Sequence, residues 1–196
     1  MSTTAATTTL TSLGVSVLAL LCERPMHPYE MYRLLLDRHE DRMVKVRPGS
    51  LYHTVDRLAD DALLVAAGTD REGGRPERTI YRITPDGEGA LRERIRALLA
   101  VPVNEYPRFP VALAEAHNLP CVEVLDLLRA RVERLDADLA EFDALLGLAA
   151  EHVTPEAYLL GGHYLREMVF AELGWLRRLV DRLERKELAW PHDNRL

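Results

Sequence analysis

The chain has 196 residues, 47% hydrophobic and 29% charged, with a formal charge of −6; this is room for one large or two small globular domains. No run of about eighteen apolar residues is present to span a bilayer, and Cys22 and Cys121 form no CxxC pair, so a membrane-spanning chain is excluded and two buried free thiols in a reducing cytoplasm are expected. Residues 1–100 carry 14 basic and 14 acidic side chains, which places the whole acidic excess in the second half and leaves only the first half suited to a polyanionic partner.

Ser2 to Thr9 is polar, lacks the basic start and cleavage site of a secretory signal, and reads as a disordered arm over residues 1–9. Leu10, Leu13, Val17, Leu20 and Leu21, spaced three and four apart behind Thr9, Thr11 and Ser12, predict a first helix that ends at Glu23-Arg24-Pro25. A second helix begins at Pro28 and carries Met31, Leu34 and Leu35 on one side. The third, from Pro48 to about Asp61, sets Leu51, Val55, Leu58 and Ala62 on one core-facing stripe. Its opposite side collects Gly49, Ser50, His53, Arg57 and Asp60, with Tyr52 and Asp56 on a flank.

Leu63–Gly68 and Arg78–Thr84 are strand-like runs joined by a long tip containing Gly73-Gly74-Arg75-Pro76, which makes a β-hairpin. Thr84-Pro85-Asp86-Gly87 then turns into a fourth helix near Glu88–Leu99. Four prolines within 101–120 mark a linker with one short helical piece around Val111–His117. Beyond it Leu125, Leu128, Val132, Leu135, Leu139, Phe142 and Leu146 alternate steps of three and four, the seam of a coiled coil. After Thr154-Pro155 a last helix aligns Leu165, Val169, Leu173, Leu176, Val180 and Leu183 before Trp190-Pro191. The expected fold class is mainly α with a small β-hairpin wing: a winged helix-turn-helix domain over 10–100, the linker, and a helical dimerisation domain over 121–190.

Reading DNA requires a helix whose first turns reach base edges and basic or backbone groups that grip phosphate. Ser50, Tyr52, His53 and Arg57 line the outer side of the third helix, Gly49 opens it, and Lys45 and Arg47 stand just before it, where a helix N-terminus already favours an anion. A merely solvated face is the alternative for these residues in isolation; the order of elements around them favours DNA. Asp56, Asp60 and Asp61 would repel phosphate, so only the first turns are expected to insert. Gly74, Arg75 and Arg78 suit a wing laid along the backbone or in the minor groove; Tyr81 reads as core.

None of the spacings of a nucleophile with its base, a metal cluster or a phosphate-cradling loop occurs, so no catalytic residue, metal site or cofactor is expected. His163 and Glu167, four apart, read as a surface or interface pair rather than as metal ligands or an acid–base pair. Tyr158, Tyr164, Met168, Phe170 and Trp175 gather on the last helix; core packing is the common reason for such residues, and a pocket at a subunit interface is the alternative. The joining surface of a homodimer is expected from Leu125, Leu128, Val132, Leu135, Leu139, Phe142, Leu165, Val169, Leu173, Trp175, Leu176 and Val180. The rivals to a regulator are a protein-binding adaptor built on the same fold and a small enzyme using the His163 and Glu167 pair.

Met26-His27-Pro28-Tyr29-Glu30-Met31, Pro48-Gly49-Ser50-Leu51-Tyr52 and the run from Gly74 to Gly87 together resemble the second helix, recognition-helix start and wing of the PadR family of transcription regulators, in its long form with a C-terminal helical dimerisation domain. Phe109–Leu113 and Ala171–Leu176 resemble that C-terminal domain; Pro28 stands where the family's motif has glycine. The resemblance implies a homodimer on a palindromic operator in double-stranded DNA, usually repressing, with a small aromatic effector such as a phenolic acid releasing some members. It also implies that Tyr29 contacts DNA.

Overall fold

The computed structural model describes residues 10–70, 78–152 and 154–191. The arm at residues 1–9 and the wing-tip residues Gly74 and Arg75 lie outside them. The chain divides after Asn104 into two units, Met1–Asn104 and Glu105–Leu196.

The first unit runs α1 (Ser12–Glu23), α2 (Pro28–Asp37), α3 (Pro48–Asp60), β1 (Leu64–Asp70), β2 (Arg78–Ile83) and α4 (Pro85–Ala100), with a 3-10 turn at Glu40–Arg42. Three of its helices start on a side-chain cap that satisfies an otherwise unpaired backbone donor. The N–H of Gly14 donates to Thr11 Oγ1 (3.1 Å), that of Glu30 to His27 Nδ1 (3.0 Å) and that of Gly87 to Thr84 Oγ1 (3.0 Å). Val17 and Leu18 of α1, Met31 and Leu35 of α2, and Leu51, Val55 and Leu58 of α3 meet with Met26, Leu64 and Leu91 in one core.

Ala62 does not join the core stripe of α3. The helix ends at Asp60, and Ala62 turns out into solvent with a positive φ of 59°; Thr54, buried and donating its hydroxyl to the carbonyl of Ser50 (2.8 Å), fills the core side instead. A side chain that returns its hydroxyl to the preceding turn can be buried without an orphan donor.

β1 and β2 pair antiparallel from Leu64 with Ile83 to Asp70 with Arg78, with a bulge between Ala66 and Gly68. Gly68 has φ 145° there, a conformation open to glycine at low cost. A further bridge joins Met26 to Tyr81 through both backbone bonds, each 3.1 Å. This pins the wing to the chain just before α2. Cys22, expected to be buried, is exposed because it falls on the outer side of α1, and Cys121 is half-buried; neither is in a disulfide.

The second unit holds α5 (Arg108–Ala114), α6 (Cys121–Glu151) and α7 (Leu160–Glu184). At 1.5 Å per residue α6 is about 46 Å long, and α7 returns against it. The heptad stripe closes on its own chain: Leu128 and Phe142 of α6 and Leu173, Leu176 and Leu183 of α7 are buried, while Leu125, Val132, Leu135, Leu139, Leu165, Val169 and Val180 are half-buried. Ion pairs stitch the flanks, Arg129 to Glu184 (2.7 Å), Arg177 to Asp136 (2.5 Å), Arg166 to Asp143 (2.6 Å) and Arg131 to Glu172 (2.6 Å). Much of the expected linker is packed structure. Phe109 and Leu113 of α5 lie on the α6–α7 core, the Arg131 guanidinium stacks 3.5 Å from the Phe109 ring centre, and Trp190 Nε1 donates to the carbonyl of Leu119 (2.7 Å).

Tyr158, Tyr164, Met168, Phe170 and Trp175 are all exposed, against the expectation of core packing. The face of α7 that meets α6 is already taken by the leucine and valine stripe. Among the described residues no helix is long and apolar enough to cross a membrane, and no group of three metal-ligating side chains is found.

Candidate nucleic-acid interface

The segment before α3 alternates. Val44 and Val46 pack on the core, so Lys45 and Arg47 point outward, and Arg47 carries the extended backbone (φ −138°, ψ 144°) that leads into the helix. Pro48 follows at the first helical position, where its missing N–H costs nothing. Among the described residues no side chain caps α3, unlike α1, α2 and α4. The N-terminal dipole and the backbone donors of the first turn therefore meet no side-chain cap among the described residues, a disposition suited to an anion.

Gly49, Ser50, Tyr52 and His53 are exposed on this turn. A Cβ placed on Gly49 would meet nothing within 4 Å, so internal packing does not call for glycine here and close approach from outside is left open. The three core residues of α3 fix which way this polar face looks. Arg57, one helical turn on, is half-buried and turns toward α1, its Nη2 donating a long 3.4 Å bond to Thr11 Oγ1. It is tied to the start of α1 as well as lying near the outer face.

Tyr29 and Arg78 are brought together. The Arg78 guanidinium lies 5.3 Å from the centre of the Tyr29 ring, within the range of a cation–π contact. On the same tyrosine the His27 ring stacks at 6.2 Å between centres and 20° between planes. His27 is a residue the sequence pattern did not single out: its ring both caps α2 and supports Tyr29, and the signal for it was a hydrogen-bonding residue directly before a first-turn proline. The neighbouring carboxylate, Glu30, is held by Arg24. Lys45, Arg47, Gly49, Ser50, Tyr52 and His53 thus share the open end of α3, and Tyr29 with Arg78 forms a second group where α2 meets the wing.

Behind this surface an ion pair joins α1 to α2. Arg38 Nη2 donates to Glu23 Oε2 (2.8 Å), which holds the Glu23 carboxyl below the usual range. Glu40, in the 3-10 turn that leads toward α3, is pushed up by burial, opposed by a hydrogen bond from Ser16.

Residues 17–93 match the family described as Transcriptional regulator PadR-like family. Transcriptional regulator Rv3488 of Mycobacterium tuberculosis is 46% identical over 63 residues, 32% of this chain and 54% of that protein; the match spans about half the length of that relative. Among solved structures, Bacillus subtilis PadR in complex with operator DNA superposes with a TM-score of 0.73 at 16% identity, over 88% of this chain and 99% of that one. B. subtilis PadR in complex with p-coumaric acid gives 0.70 at 15% identity, over 88% and 98%. The PadR-like transcriptional regulator BC1756 from Bacillus cereus gives 0.62 at 18% identity, over 89% and 99%. At these identities the likeness is one of fold. The fold is that of the PadR structures just described, and residues 17–93 are similar to the domain described as Transcriptional regulator PadR-like family.

Proposed function

We propose that the chain is a sequence-specific DNA-binding transcription regulator of the cytoplasm, a repressor that works as a homodimer on a palindromic operator and is released by a small aromatic effector. The observation that carries this reading is the open first turn of α3, uncapped and flanked by outward Lys45 and Arg47. Phosphate contacts from these two residues and from Arg78 would set the register. Ser50, Tyr52 and His53 would read base edges, with Gly49 allowing the approach and Arg57 near the backbone. The likeness to a B. subtilis regulator seen with operator DNA supports a DNA-binding role.

Homodimer formation is supported by the second unit. Leu160, Tyr164, Met168 and Trp175, at steps of four, four and seven, form an exposed apolar stripe on α7 apart from the buried seam. A two-fold partner resting on this stripe would complete a bundle and hold two recognition helices for half-sites about one or two turns of DNA apart. The seam residues expected from the sequence to join subunits would then act chiefly within each protomer. The p-coumaric acid complex of the B. subtilis protein supports a phenolic acid as the first effector to try. Release requires only that the effector bind better to an arrangement of the heads that does not fit the operator.

The test is fluorescence anisotropy of the purified protein with DNA from upstream of its own gene and with a scrambled duplex, across about 50 to 200 mM salt. Tight, salt-steep binding confined to the upstream fragment, weakened on adding p-coumaric acid, is the expected result. Weak, salt-independent binding to both duplexes would sink the regulator in favour of an adaptor.

A further inference from the structure

Two contacts tie the return strand of the wing to the start of α2, an isolated antiparallel bridge and a side-chain contact. Met26 and Tyr81 exchange both backbone hydrogen bonds at 3.1 Å. Three residues onward from Met26 stands Tyr29, and three residues back from Tyr81 stands Arg78, whose guanidinium lies 5.3 Å from the centre of the Tyr29 ring. The other side of the assembly is equally fixed, since His27 stacks on Tyr29 and its Nδ1 accepts the Glu30 N–H. Glu30 is held by Arg24. Tyr29 remains 45% exposed, so its ring is a platform at the surface and not a core side chain.

An arginine gripping phosphate loses rotamer freedom on binding, and a guanidinium already resting on an aromatic face loses less. We propose that Tyr29 is a positioning residue whose ring face presets Arg78, so that the wing base and the start of α2 present this cation to the DNA backbone as one rigid body. Tyr29 acts through Arg78 and not through a contact of its own hydroxyl with DNA. The proposal rests on the DNA-binding reading above and adds to it the division of labour between two residues.

The experiment measures operator affinity and its salt slope for the full-length protein and for Arg78→Ala, Tyr29→Ala, Tyr29→Phe and the double alanine variant, with the Arg78 side-chain proton shifts read by NMR without DNA. Arg78→Ala is expected to lower the salt slope by about one, and Tyr29→Ala to weaken binding about two- to fivefold, the span of an exposed cation–π contact. The double variant should bind no more weakly than Arg78→Ala, and Tyr29→Phe should rescue the loss of Tyr29→Ala. Without DNA, the Arg78 δ-protons should be shifted upfield by the ring, a shift kept in Tyr29→Phe and lost in Tyr29→Ala. Independent, multiplicative losses, or a Tyr29→Phe variant as weak as Tyr29→Ala, would overturn the positioning role. Unshifted Arg78 protons would overturn the preset geometry whatever DNA does. A protein with the ring shift but no salt-steep operator binding would instead refute the DNA-binding reading, and with it any use of the clip on DNA.

Discussion

The two units solve the same burial problem to different degrees. Among the described residues fourteen hydrophobic side chains are buried in the first unit and six in the second, although the units are of similar length. Four helices and a hairpin enclose a core from several directions. A long two-helix hairpin with a short helix at one end covers only one face of each long helix, and leaves Tyr164, Met168 and Trp175 of α7 in solvent. A unit whose core is closed can devote its surface to recognition, whereas one whose core is open on one side invites a partner.

That contrast can be broken most sharply at Gly87. A Cβ there would stand 2.2 Å from the carbonyl oxygen of Leu63 and 2.9 Å from Ile83 Cγ1, and backbone cannot yield as a side-chain tip does. Gly87→Ala should cost about 3 kcal/mol or more, read as a drop in the denaturation midpoint of the first unit with the helical signal of the second retained. A variant as stable as the parent would show that α4 does not lie so close to the wing base.

Leu58→Ala and Leu176→Ala remove fully packed leucines from the two cores. Each should cost about 2–5 kcal/mol, the first in a transition independent of protein concentration. If the second unit is completed by a partner, the loss in Leu176→Ala should also weaken self-association, seen by sedimentation equilibrium. Met168→Glu, on the exposed stripe, should leave the unfolding of the first unit unchanged and, on the proposed dimer, shift the protein toward monomer. A Met168→Glu protein still fully dimeric would move the subunit contact elsewhere.

Thr84 both caps α4 and donates its hydroxyl to the carbonyl of Ala62 (2.9 Å). Thr84→Ala should cost about 1 kcal/mol, measured by urea unfolding. The smallest effect concerns pH. Glu23, held low by Arg38, favours the folded state above the carboxylate range, a contribution lost as pH falls through it. Glu40, held high by burial, works the other way: its protonated form suits the fold, so its contribution is lost as pH rises. Glu23→Gln should therefore destabilise at neutral pH, by well under 1 kcal/mol for so exposed a pair, and Glu40→Gln should stabilise. Equal effects of either change at acid and neutral pH would refute these assignments.

Much of the fold was legible because helical periodicity and caps are local properties. Leu51, Val55 and Leu58 announce the inner side of α3, Thr11 and Thr84 announce helix starts, and proline with glycine marks the breaks. The outward position of Ser50 and His53 follows from the same periodicity, and that of Lys45 and Arg47 from alternation with Val44 and Val46. Cys22 and Ala62 were misread for a shared reason. An apolar neighbourhood in sequence does not say which side of a helix a residue takes once the helix is oriented, nor where the helix stops.

By itself the sequence determined the order of elements, the core stripe of each helix in the first unit and the identity of the polar groups at the start of α3, since each depends on residues within a few positions of one another. The tertiary structure decided what depends on distant partners. It brought Tyr29 to Arg78 beside the bridge of Met26 with Tyr81, turned Arg57 toward Thr11, and spent the heptad seam of α6 on α7 of the same chain. A period of three and four says that a helix has an apolar side; only packing, which weighs every available surface at once, says what that side will meet.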